Sequence, residues 1–120
     1  MQLQNVLTNI GLSEKEAKVY LAALELGPSP ASELALRAKL NRVTTYDILE
    51  KLARKGFVNI YMQNKTKYFA PTDPDIIRSD YRGKYMNFKT ALPDLRRLHG
   101  KTSHPRIRYY EGPEGVKKVY

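Results

Sequence analysis

The sequence predicts a mainly α-helical chain carrying one small β-hairpin, and three observations predict it. Two short amphipathic segments, 31–38 and 42–55, flank the tight turn Lys39-Leu40-Asn41. After Gly56 the pattern changes to Phe57-Val58-Asn59-Ile60-Tyr61-Met62, a polar turn Gln63-Asn64-Lys65-Thr66, and Lys67-Tyr68-Phe69-Ala70, which reads as strand, turn, strand. Beyond Asp73-Pro74 an apolar seam recurs at helical spacing as far as His99. Together these predict a winged helix-turn-helix followed by a long dimerisation helix of the coiled-coil kind.

Each element has a local cause. Leu3, Val6, Leu7 and Ile10 fall on one face of a short helix. Gly11 sits where a left-handed C-cap belongs, and Leu12 supplies the apolar contact beyond it. Ser13 with Glu16 makes a capping box for the next helix, whose expected apolar stripe is Ala17, Leu21 and Leu24 flanked by Tyr20. Gly27-Pro28 stops it, and Ser29-Pro30 reads as a cap followed by proline at the first helical position. Leu34, Ala35 and Ala38 form the buried side of the third helix. Asn41 caps the fourth, whose inward stripe is Thr45, Ile48, Leu49 and Leu52. Pro71 closes the hairpin.

The third section starts by the same cap-plus-proline logic at Asp73-Pro74. Ile77, Tyr81, Tyr85, Phe88, Leu92, Leu95 and His99 are spaced 4, 4, 3, 4, 3 and 4 residues apart. A seam averaging about 3.5 residues lets one helix pair with another. Gly83 and Pro93 oppose the helix, and packing back on its own domain is the alternative to a dimer seam. The expected organisation is a winged helix over 1–71, a dimerisation helix over 73–99, and a tail over 100–120. In that tail 100–104 reads as linker, Ile107-Arg108-Tyr109-Tyr110 as a strand, and Glu111-Gly112-Pro113-Glu114 as a helix start. A lone strand and half a helix do not fold alone, so the tail belongs to a longer domain or packs on a partner.

Composition narrows the function. A formal net charge of +9 in 120 residues favours polyanions, through phosphate neutralisation and counterion release, or alternatively an acidic membrane surface. Without cysteine there is no disulfide framework, thiol nucleophile or thiolate metal site. No leader pattern or long apolar run is visible, so a cytoplasmic chain with no membrane partner is expected. His99 and His104 lack an acidic or thiol neighbour and make a poor metal site. No nucleophile, base and orienting group come together, and 111–115 lacks the spacing of a dinucleotide loop. No enzyme activity and no cofactor are expected.

The positive reading is double-stranded DNA. A 100° step along 42–55 sets Val43, Asp47, Glu50 and Arg54 opposite the inward face, with Thr44, Tyr46 and Lys51 on the flanks and Arg42 at the head. A helix tip of that kind can meet base edges in the major groove. Arg42 suits guanine or phosphate. Val43 and the Thr44 methyl suit a thymine methyl, and Asp47 either accepts from cytosine or holds Arg42. Tyr46 and Lys51 suit phosphate oxygens, whereas Glu50 would repel them. Asn64, Lys65 and Lys67 at the hairpin tip suit a backbone or minor groove, and Ser29 and Ser32 at the start of the supporting helix suit a phosphate through backbone and hydroxyl donors. The competing class is a winged-helix adaptor that docks protein; RNA fits less well, because A-form grooves do not admit a recognition helix.

The run Leu12-Ser13-Glu14-Lys15-Glu16-Ala17-Lys18-Val19-Tyr20-Leu21-Ala22-Ala23-Leu24 resembles the opening of the TrmB-type, sugar-specific transcription regulators. The likeness continues through Gly27-Pro28, Ala31-Ser32-Glu33-Leu34-Ala35, Arg42, Thr44, Tyr46-Asp47-Ile48-Leu49, Leu52 and Lys55-Gly56-Phe57-Val58, and Leu92-Pro93-Asp94-Leu95 is similar to a stretch of that family's coiled-coil helix. The resemblance implies a homodimeric winged-helix regulator on a palindromic operator. It further implies that a small-molecule effector partner requires a longer C-terminal domain, whose opening 108–117 resembles. Val43 and Asn41 stand where relatives often carry a hydroxyl residue and a proline.

Overall fold

A computed structural model describes residues 2–101. Its elements are α1 (Leu3–Asn9), α2 (Glu14–Leu26), α3 (Ala31–Ala38), α4 (Arg42–Arg54), β1 (Val58–Gln63), β2 (Thr66–Pro71) and α5 (Pro74–Lys101). The chain divides into two units at Arg82 and Gly83. The strand and helix predicted within 102–120 lie outside the described residues.

In the first unit, helix ends are set by backbone geometry that the sequence signals. At the end of α1, Leu12 N–H donates to Leu7 O and Gly11 N–H to Thr8 O, each at 3.2 Å. The same pair of bonds closes α4, from Phe57 to Leu52 and from Gly56 to Ala53. Both glycines carry positive φ, 116° and 86°, where a side chain is strained. Ser13 and Glu16 form the expected capping box on α2, and Asp73 caps α5 by accepting from Asp75 N–H at 2.8 Å.

The core gathers Val19, Leu34, Leu49, Leu52, Phe57, Val58 and Phe69, with alanines between the helices. The buried face of α4 is the expected Thr45, Ile48, Leu49 and Leu52. α2 departs from its expected stripe, because it packs on α1, α3, α4 and β2 at once. Val19, Ala22 and Ala23 are buried, Leu21 is half-buried and Leu24 is exposed. The alanines leave room for α3 and α4 to approach the α2 backbone. Tyr20 is buried and donates its hydroxyl proton to Thr72 O at 2.8 Å. Burial, with the Asp73 charge nearby, pushes its pKa up to about 12.

β1 and β2 pair antiparallel in the register Val58↔Pro71 to Gln63↔Thr66. The two-residue turn Asn64-Lys65 has positive φ at both positions, 50° and 63°, the backbone sense that matches strand twist. Ser29 is not a helix cap. Its N–H and C=O pair with Phe69 at 3.2 and 2.9 Å, adding a one-residue edge to the hairpin, and its hydroxyl donates to Gly27 O. Pro30 stands one place earlier than expected, at the N-cap of α3.

The first unit reaches past the hairpin because Ile77 joins its core and Tyr81 packs against it. Tyr81 donates to Ile10 O at 2.8 Å. In the second unit Tyr85, Phe88 and Leu95 are exposed and Leu92 is half-buried. α5 continues through both Gly83 and Pro93. Pro93 removes one ladder bond at an exposed position, where water can satisfy the freed carbonyl. Gly100 and Lys101, expected as linker, are still helical. Among the described residues no helix is long and apolar enough to cross a membrane.

Candidate nucleic-acid interface

The outward tip of α4 is built by its cap. Asn41 in extended conformation accepts from Thr44 N–H at 2.7 Å, which holds the first turn and leaves Arg42 and Val43 outside the core. Arg42 is exposed and forms no ion pair among the described residues, and Val43 is 82% exposed. Thr44 is half-buried beside them, while Thr45 turns fully inward. A flat, unpaired tip with one guanidinium and two small apolar ends can approach a groove floor.

Asp47 pairs with Lys51 at 3.5 Å, one turn along, and not with Arg42. The pair is exposed and worth little to stability, but it partly neutralises Lys51. Ser32 is half-buried in the first turn of α3. Asn64 and Lys65 are exposed at the hairpin turn.

Tyr46 and Lys67, 21 residues apart, are joined. Lys67 Nζ donates to the Tyr46 hydroxyl at 2.6 Å and lies 5.1 Å from the ring centroid. The Tyr46 ring also stands edge-on to buried Phe69, with centroids 5.8 Å apart. The bond to Tyr46 outweighs a small desolvation effect and raises the Lys67 pKa above the ordinary lysine value. This contact fastens the hairpin to the outward helix, so the two basic elements present as one surface. Spacing alone does not reveal it, since neither residue's pattern names the other.

Two further exposed basic residues, Lys39 and Arg54, lie toward the two ends of α4. Lys39 sits in the turn between α3 and α4 with φ 59°, a left-handed conformation usually given to glycine or asparagine. Its position one residue past the apolar run of α3 is the signal that was available. Arg54 is exposed near the C-terminal end of α4 and was placed on the outer face without a role.

Behind the surface, Glu16 ties three elements together. Its carboxylate accepts from Ser13 N–H at 2.9 Å and from Lys55 Nζ at 2.7 Å, and Lys55 also donates to Gly11 O at 3.2 Å. Burial pushes the Glu16 pKa up, but Lys55 and the Ser13 amide outweigh it, and the net shift is downward. The N-terminus of α2 is thereby fixed to the C-terminus of α4.

The family model described as sugar-specific transcriptional regulator TrmB matches residues 7–75, more than half of the sequence. This chain belongs to the TrmB family. It is 36% identical over 100 residues to the HTH-type sugar sensing transcriptional regulator TrmBL1 of Pyrococcus furiosus, a match covering 79% of this chain and 29% of that protein. The chain thus spans less than a third of that relative. Its fold is similar to that of TrmBL2, described as an archaeal chromatin protein with a novel mode of DNA binding: TM-score 0.54, 23% identity, 88% of this chain and 44% of that one. It is also similar to the ST1889 protein of Sulfolobus tokodaii: TM-score 0.59, 23% identity, 77% of this chain and 99% of that one. The TrmB match ends at residue 75, so it spans the winged helix and the first residues of α5.

Proposed function

We propose that this chain is a sequence-specific, double-stranded DNA-binding regulator that acts as a homodimer. The observation that carries the reading is the unpaired Arg42 and Val43 tip of α4, locked beside a basic hairpin by the Tyr46–Lys67 contact. α4 enters the major groove, with Arg42 on a guanine and Val43 and Thr44 against thymine methyls. Tyr46, Lys51, Asn64, Lys65 and Lys67 follow phosphates, joined by Lys39 and, at the start of α3, by Ser32. Asp47 acts by placing Lys51, and its carboxylate is free to accept from a cytosine when Lys51 turns to phosphate. The TrmB membership and the net charge of +9 support this reading.

Dimerisation uses the second part of α5. Ile77 and Tyr81 already serve the first unit, so the seam open to a partner begins at Tyr85 and continues through Phe88, Leu92 and Leu95. Two copies on a two-fold axis read two half-sites a whole number of ~10 bp turns apart. The protein works in the cytoplasm. A small-molecule effector enters only with a longer C-terminal domain.

An adaptor that docks protein is the second reading, favoured by the exposure of Leu36 (80%) and Val43 (82%). Selection of a binding site from random duplexes, followed by titration of Arg42→Ala, separates them. Arg42→Ala is expected to cost ~1–3 kcal/mol and relax specificity at one base pair. Unchanged affinity for the selected site would remove α4 from the groove.

A further inference from the structure

The first unit holds an apolar cavity of about 290 Å³ on the side of α1 and the start of α5. Leu7, Ile10, Pro74 and Ile77 form its aliphatic walls, and Tyr20, Phe57 and Tyr81 its aromatic ones. The rings meet edge to face, Tyr20–Phe57 at 5.3 Å and Phe57–Tyr81 at 6.5 Å between centroids. Nothing in the DNA-binding reading uses this cavity, and none of its residues belongs to the α4 tip or the hairpin.

We infer that this cavity binds a planar aromatic monocarboxylate. Size admits one: roughly 150 Å³ takes up benzene in an enclosed site, and this groove, open on one side, offers about 290 Å³. Apolar walls that include three aromatic rings suit another ring. Polar chemistry then selects among aromatic molecules. Both tyrosine hydroxyls have donated their protons to backbone carbonyls, Tyr20 to Thr72 and Tyr81 to Ile10. Neither offers a donor to a polyol, so these apolar walls would leave most hydroxyls of a sugar without a partner. The one charged lining residue is Arg78, at the start of α5. Its nearest carboxylate, Asp75, stands at 4.0 Å, too far for a tight bidentate pair, and both side chains are exposed. A single guanidinium beside an apolar slot matches one carboxylate on an apolar body.

The inference stands apart from DNA binding and is tested on the whole 120-residue chain. Sodium benzoate and 2-naphthoate are titrated by NMR and calorimetry, with benzamide and benzylamine as neutral and cationic controls. The two carboxylates are expected to bind one per chain, shift the Leu7, Ile10 and Ile77 methyl resonances, and raise Tm by roughly 10 °C at a hundred times Kd. Arg78→Gln should lower carboxylate affinity at least tenfold and bring it level with benzamide. Ile10→Trp, which fills the slot from a half-exposed position, should abolish binding with no change in DNA affinity. No methyl shift at millimolar ligand would overturn the inference, as would equal binding of benzamide and benzoate. Contacts between these methyls and a second copy of the chain would overturn it too, by showing the slot already covered.

Discussion

Replacing Lys55 by Met tests whether the Glu16 tie is an electrostatic fastening or ordinary packing. Met keeps most of the Lys55 stem and removes the ammonium, so the bonds to Glu16 and Gly11 O are lost while apolar contact survives. A hydrogen bond to a charged group is worth about 1.5–3 kcal/mol. The Lys55 side chain is 43% exposed while that of Glu16 is 6% exposed, so water screens one partner and the figure falls to about 1–1.5 kcal/mol. Glu16 retains the Ser13 amide, which limits the loss. For a unit of this size the deficit corresponds to a Tm drop of roughly 5–10 °C. The pH dependence carries the sharper check. The Glu16 pKa is lowered in the folded state, so its contribution is present above the unfolded value near 4.5 and is lost as pH falls through the folded one. Urea denaturation of wild type, Lys55→Met, Glu16→Gln and the double variant at pH 7 and pH 3 measures the coupling. The Lys55→Met deficit should be smaller at pH 3 than at pH 7, because protonation of Glu16 removes the charge that Lys55 pairs with. An equal deficit at both pH values would refute the ionic account and leave only packing.

Three further outcomes are expected. Thr45→Val should stabilise the chain by about 1 kcal/mol in denaturant titration, because the buried Thr45 hydroxyl has no hydrogen-bond partner among the described residues and Val keeps its shape. Lys65→Gly should raise Tm by removing a side chain from a positive-φ turn position, while reducing the salt slope of DNA binding by about one. Tyr46→Phe keeps the edge contact with Phe69 but frees Lys67; it should leave Tm within about 2 °C and weaken all duplexes alike, read by anisotropy at fixed salt.

Much of the fold was legible because its causes are local. The inward face of α4 follows from spacing alone, and Gly11, Gly56, the Ser13–Glu16 box and Asp73-Pro74 mark helix ends by side chains that act within a few residues. The losses have physical reasons. A single bridging residue such as Ser29 has no period to detect, and its hydroxyl imitates a cap. The turn at Lys39 was legible, but its left-handed backbone was not, because lysine stands where glycine would announce it. α2 is covered by neighbours around much of its circumference, so small alanines are buried and a one-face stripe points to the wrong leucine. Gly100 reads as a breaker, yet the helix runs past it to Lys101. At the site, the sequence placed Arg42, Val43 and Lys65 on the outside but not the Tyr46–Lys67 contact, which depends on how the hairpin folds against α4.

That contact makes α4 and the hairpin one basic surface, and the central consequence proposed for it is measurable as salt-dependent duplex binding. Titration of the purified chain with its selected operator between 50 and 300 mM salt, with mass measured in the same buffers, is the most direct measurement. The four lysines set on phosphates in each protomer, Lys39, Lys51, Lys65 and Lys67, predict a slope of log affinity against log salt of about −3.6 for each, hence about −7 for a dimer on a palindrome. A slope near zero, or a monomer with no duplex affinity at 50 mM salt, would contradict the DNA reading and place the exposed tip of α4 against protein.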